Sequence, residues 1–171
     1  MALINIILLL LLISVIAIMI LNTTGKGIVT LSSVILTTLI TSIVAIRSLL
    51  GTNFEILLKG PVLFGNVPVK IDSLSAWFIL TINFTMVTGV IYGFNYMKRY
   101  RSRKSDITLH CIAFLIAHFS LIGICSVQNA MIFLIIWEMM ALSVFTMVIF
   151  DHNEPGIIKA GINYLVQSHI S

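Results

Sequence analysis

Glu138 stands in Ile135-Ile136-Trp137-Glu138-Met139-Met140, eight residues into an apolar run that begins at Ala130. At 1.5 Å per helical residue its carboxyl lies about 12 Å from the start of the run, close to the middle of a hydrocarbon layer about 30 Å thick. An isolated carboxylate there is so poorly solvated that it must be neutral or have a cationic or hydrogen-bonding partner. Two histidines match it in depth if consecutive runs fold as antiparallel hairpins. The preceding turn centres on Gln128, with His118 ten residues before it and Glu138 ten after. The following turn centres between Asn153 and Glu154, with Glu138 and His169 each about fifteen residues away. A carboxyl poised by burial and imidazoles that titrate near neutrality suit the passage of protons, and ionisable groups in hydrocarbon are mostly functional. The chemistry predicted is a proton relay through Glu138, His118 and His169. A lone membrane histidine also serves as a neutral hydrogen-bonding group that fixes helix packing, and that reading stays open for each of the two. Equal depth does not establish contact, because tilt can shift a helix by a turn. His110 and Lys159 lie near helix ends, can snorkel toward water, and are accessory at most.

The elements that must position these groups follow from composition. The 171 residues are 59% hydrophobic and 9% charged, with ten basic and six acidic side chains, a mean hydropathy of +1.12 and a pI near 9.3. Ordinary soluble domains carry roughly 25% charged residues, so a water-soluble globule, a disordered chain and a nucleic-acid binder are excluded, and lipid is the expected surroundings. The apolar runs are Leu3 to Leu21, Ile28 to Ile46, Leu74 to about Tyr96, Ile107 to Val127, Ala130 to Phe150, and a sixth from Ile157 to the last residue, Ser171. Helices one and two form a tight hairpin, and the Thr and Ser of helix two can bond neighbouring helices or their own backbone. From Arg47 to Asp72 the hydropathy falls, and Gly51, Gly60, Pro61, Gly65-Asn66 and Pro68 punctuate short apolar pieces such as Ile56-Leu57-Leu58 and Val62-Leu63-Phe64. That pattern predicts a β-hairpin-like excursion outside the membrane. The fold class expected is therefore an all-α polytopic transmembrane bundle of about six helices, with a β-hairpin-like loop between helices two and three.

Five of the ten basic residues, Lys98, Arg99, Arg101, Arg103 and Lys104, sit in one stretch between helices three and four. By the positive-inside rule this loop is cytoplasmic, which also places Lys26 and Lys159 inside, and Arg47, Lys59, Lys70, the hairpin and the N-terminus outside. A cleaved signal peptide is not expected, since no basic residue precedes the first run and no small-residue site follows it. The sixth run reaches only about 22 Å before the chain stops, so the sequence reads as the front part of a longer protein. It is expected to form one membrane domain over 1–171, with no internal repeat of its own.

Motifs for bond-making chemistry are missing. Cys111 and Cys125 are 14 residues apart in one run, about 21 Å along a helix, too far to bridge. No CxxC, metal-ligand spacing, phosphate loop, nucleophile elbow or dinucleotide fingerprint occurs. No catalytic residue, metal or cofactor is expected. Met131, Met139, Met140 and Met147 read as flexible apolar filling, and Asp72-Ser73 as an N-terminal cap for helix three.

Three segments, Lys70-Ile71-Asp72-Ser73-Leu74-Ser75-Ala76-Trp77-Phe78, Trp137-Glu138-Met139-Met140-Ala141-Leu142-Ser143 and Ala160-Gly161-Ile162-Asn163-Tyr164-Leu165, resemble the antiporter-like subunits of respiratory complex I. The same family takes in the large Mrp-type cation/proton antiporter subunits and the proton-conducting subunits of membrane-bound hydrogenases and formate hydrogenlyase. The resemblance covers nearly the whole chain. It implies a whole protein of about fourteen helices with two inverted five-helix repeats, the first starting at helix four. Residues 1–106 would then hold helices one to three with the outer hairpin, and 107–171 the start of that first repeat, cut off in helix six. Glu138 matches the family's helix-five glutamate, thought to modulate a lysine on helix seven that lies beyond this sequence. Many members carry a Lys just before the helix-six Tyr, where this chain has Asn163, so that lysine's role is not carried over. Gln167-Ser168-His169 looks more like the hydrogenase-type members, and His169 is the cationic neighbour suggested in its place. The resemblance thus implies a proton-translocating subunit of a redox-driven pump, of hydrogenase or formate-hydrogenlyase type, in a prokaryotic plasma membrane beside other membrane subunits. An Mrp-type sodium/proton antiporter subunit, a complex I subunit and a small structural membrane subunit remain the alternatives, and the ion could be sodium.

Overall fold

A computed structural model describes residues 2–52, 54–60, 65–100 and 103–170. Six helices follow in order: α1 (Ala2–Ile20), α2 (Thr23–Leu49), α3 (Ser73–Tyr96), α4 (Lys104–Ser126), α5 (Ala130–Val148) and α6 (Ile157–Ile170). Between α2 and α3 lie strands β1 (Phe54–Lys59) and β2 (Asn66–Ile71), paired antiparallel from Phe54↔Ile71 to Lys59↔Asn66. The expected fold class is what is found. Helices α1 to α5 are each long and apolar enough to cross a membrane, as a multi-pass membrane protein requires. Pro61, Val62, Leu63, Phe64, Arg101 and Ser171, all used in the sequence reading, lie outside the described residues.

One boundary moved. Helix two was expected to begin at Ile28, yet α2 begins at Thr23, because the Asn22 side chain accepts the Gly25 amide at 2.8 Å and opens the helix five residues early. That cap outweighs Gly25 and Gly27, which precede the expected apolar run. Lys26, assigned to a loop, is consequently inside the helix and only 7% exposed, its ammonium donating to the Thr108 hydroxyl of α4. Helix α3 starts as expected, on Asp72, whose Oδ1 accepts the Ser75 amide at 2.8 Å. That bond holds the Asp72 carboxyl below the usual carboxylate range.

The core sits among α1 to α4. Ile18, Val34, Met86, Val90, Ile107, Cys111 and Leu115 form one buried cluster, and Val44, Ala45, Ile71, Ala76 and Ile79 form a second toward the β-hairpin. Helix α5 buries little, with Ala141 and Ser143 its buried residues. Both ends of the α4–α5 pair are tied down. At the hairpin end, the Gln128 amide donates to the Pro68 carbonyl at 2.9 Å, and Val69 bridges Val127. Pro68 fits because it occupies an edge strand, where the missing N–H breaks no ladder bond. At the opposite end Arg103, which opens α4, donates to Asp106 Oδ2 at 2.7 Å, to Asp151 Oδ1 at 2.6 Å and to the Phe150 carbonyl at 2.9 Å. One planar guanidinium thus joins the α3–α4 turn to the α5–α6 turn.

Candidate functional site: a carboxyl and imidazole pair between α5 and α6

His169 reaches Glu138 across the α5–α6 packing, with Nε2 2.9 Å from Oε2. Nδ1 of the same ring lies 2.7 Å from the Leu165 carbonyl. A carbonyl only accepts, so Nδ1 must carry a proton and donate it there, one turn back on its own helix. The ring is then committed at one nitrogen, and Nε2 is left as the atom that shares a proton with the carboxyl. Either Nε2–H donates to a carboxylate, or a carboxylic acid donates to Nε2, and the two states differ by one proton moved along one hydrogen bond. Ser168 supports the ring from the side, its Oγ 2.8 Å from the same carbonyl and 3.3 Å from Nδ1.

What lets α6 come this close is Gly161, the buried residue of that helix. A Cβ placed there would lie 2.5 Å from Ile149 Cγ2 and 3.1 Å from Phe145 Cε2. Helices with small residues at a crossing approach until backbone meets side chain, a common solution in membranes.

The acid differs from expectation in one respect. It is not buried within this chain: the Glu138 and His169 side chains are 48% and 42% exposed. Helix α5 turns the stripe Met131, Leu134, Ile135, Met139 and Leu142 outward around the pair, and α6 does the same with Ile158, Ile162 and Val166. These methionines thus line an outer face instead of filling the interior.

His118, the other relay candidate, points elsewhere. It is fully buried, and its Nε2 lies 3.2 Å from Asn83 Oδ1 on α3. Asn83 donates through Nδ2 to Thr41 Oγ1 and Ser42 Oγ, both at 2.9 Å. The amide nitrogen being occupied as donor, its oxygen must accept, and His118 therefore carries a proton on Nε2. Depth matching places His118 level with Glu138, but the structure does not bring the two together: they belong to separate networks, one inside α2–α4 and one on the α5–α6 face. Cys111 and Cys125 are both free thiols, as their spacing required. His110 packs its ring edge-on to Phe150, with centroids 5.2 Å apart; its Nδ1 is buried without a partner, and the residue lines a cleft among α2, α3 and α4. Lys159 is exposed near the start of α6. Among the described residues, no group of three or more His, Cys, Asp or Glu could hold a metal ion.

The chain is 29% identical over 109 residues to Hydrogenase-4 component B of Escherichia coli (strain K12). The match takes in 64% of this chain and 16% of that relative, so the chain spans a small part of the protein it resembles. No family model matches.

Sequence reasoning missed Asn83, although an amide in an otherwise apolar span is a signal for a hydrogen bond between helices. It also missed Arg103, whose two acid partners are 3 and 48 residues away and share no pattern with it. The Asn83 network makes a testable demand. Asn83→Leu removes three inter-helix bonds at once and is expected to cost about 2 kcal/mol, at about 0.6 kcal/mol for each membrane side-chain bond. Unfolding in mixed micelles measures it. A loss under about 0.5 kcal/mol would show that these bonds are idle, this being well below the usual net worth of such contacts.

Proposed function

We propose that the chain acts within an antiporter-like, proton-translocating membrane subunit of a redox-driven pump of hydrogenase or formate-hydrogenlyase type. The observation that carries this reading is the 2.9 Å contact between Glu138 and His169 at the depth where ionisable side chains are costly and rarely idle. Partial likeness to a hydrogenase component supports the redox assignment. In this reading residues 1–106 are the leading helices with their outer hairpin, and 107–171 open the first antiporter-like repeat. The proton enters the shared position at Nε2 or leaves it through Oε2, and His118 serves the α2–α4 interior with no direct step to Glu138. Lys26, Lys98, Arg99, Arg103, Lys104 and Lys159 gather at one end of the bundle, which supports a cytoplasmic placement of that end and an outward N-terminus in a prokaryotic plasma membrane. The half-exposed ion pair argues that the α5–α6 face lies against further protein, since hydrocarbon solvates neither group.

The test is proton uptake into membrane vesicles carrying the assembled complex. Glu138→Gln keeps the shape and removes the exchangeable charge, and uptake should fall by at least about tenfold, a loss typical for a proton-transfer group. Unchanged uptake removes Glu138 from the path and the reading with it.

A further inference from the structure

Near the basic end, α2, α3 and α4 enclose a cleft of about 70 Å³, several times the 10–15 Å³ or so that one water needs. Glycines line it, Gly27 on α2 and Gly89 and Gly93 on α3, beside the rings of Phe94 and Phe114, which lie 2.9 Å and 3.5 Å from where a Cβ would stand at Gly27 and at Gly89. At Gly93 no atom lies within 4 Å of where a Cβ would be, so the slot there is open space. Its mouth is different in kind. Lys98 lines it together with Thr23 and Thr24, the first two residues of α2, where backbone N–H groups have no intrahelical acceptor. The Lys98 ammonium is held by Asn95 Oδ1 at 2.9 Å and lies 4.9 Å from the Phe94 ring centre. Nearby Lys26 is 7% exposed and bonded to a hydroxyl. Among the described residues the ion pairs use Arg103 and His169, and neither Lys26 nor Lys98 has a carboxylate.

We propose that this cleft binds one anionic phospholipid, with the phosphate at Lys98 and the first turn of α2 and one acyl chain in the glycine slot. The charges call for an anion, and the walls below them call for a hydrocarbon chain. A free phosphate would leave the slot empty, and a zwitterionic lipid would bring its own cation against the Lys98 ammonium. Depth agrees: the nine residues from Gly89 to Lys98 rise about 13 Å, close to the roughly 15 Å of hydrocarbon in one leaflet. Basic pockets between membrane helices are suited to anionic headgroups for these reasons.

The full chain, purified in mild detergent, is titrated with phosphatidylglycerol and with phosphatidylcholine of identical acyl chains, and bound lipid is counted by native mass spectrometry. One phosphatidylglycerol is expected to be retained in preference to phosphatidylcholine. Lys98→Gln, at an exposed position, should cut that preference roughly fivefold, the worth of one ammonium beside an anionic surface. Gly93→Leu fills the slot and should abolish retention of either lipid. A Lys98→Gln variant with the preference intact, retention of lipid by a Gly93→Leu variant that melts like the parent, or displacement of the lipid by millimolar inorganic phosphate would each overturn the proposal.

Discussion

In a double-mutant cycle, Glu138→Gln and His169→Gln are each expected to lower proton uptake by about tenfold or more, and the two together to lower it no further than Glu138→Gln alone. The reason is geometric. With Nδ1 donated to the Leu165 carbonyl, the ring has one nitrogen left to exchange, and that nitrogen faces one oxygen of one carboxyl. Removing either partner removes the same step, so the second substitution finds nothing more to break. Glutamine at 138 still offers a hydrogen bond to the ring, which keeps packing loss small and isolates the lost titration. His169→Gln also leaves the carboxyl without its basic neighbour, and an unpaired acid at the centre of a membrane helix costs about 2.5–3.5 kcal/mol on insertion scales. Uptake in the assembled complex is the measurement. Losses that multiply in the double variant would mean two independent roles, and the shared-proton pair would be abandoned.

Gly161→Leu is expected to separate the pair without touching either member. A Cβ at 161 already meets Ile149 at 2.5 Å, and a leucine adds three more carbons to a space that has none to give. Overpacking of this kind costs about 1–3 kcal/mol and is relieved by moving whatever is least tied down. Here that is α6, which buries Gly161 and little else. Spin labels at the exposed positions Leu142 and Val166 should report a wider α5–α6 spacing, and uptake should fall as it does for Glu138→Gln. Ala160→Leu, one residue away on the exposed side, should change neither. A Gly161→Leu chain with parental spacing and uptake would show that the crossing does not set the contact.

Much of this was legible in the sequence because membrane physics leaves few options. Runs of about twenty apolar residues become helices, and the glycine and proline punctuation of residues 51–68 becomes a hairpin. Depth counting from the turn at Asn153 placed His169 opposite Glu138, and the two do meet. The same counting from Gln128 matched His118 in depth but could not supply rotation, and its ring turns inward to Asn83. Period and hydropathy are silent about which face of an all-round apolar helix carries a polar group. The start of helix two was misplaced for a related reason: a composition window sees two glycines and a charge, whereas one asparagine cap decides where the helix begins.

The α4–α5 pair is stitched to the β-hairpin at one extremity, by the Pro68 carbonyl and Val69, and at the other Arg103 clamps its two helices to each other. Two rods clamped together at one end and held by a common anchor at the other cannot slide past each other; they can only bow or roll. Motion of α5 against α4 is therefore lateral and greatest at mid-span, which is where Glu138 stands.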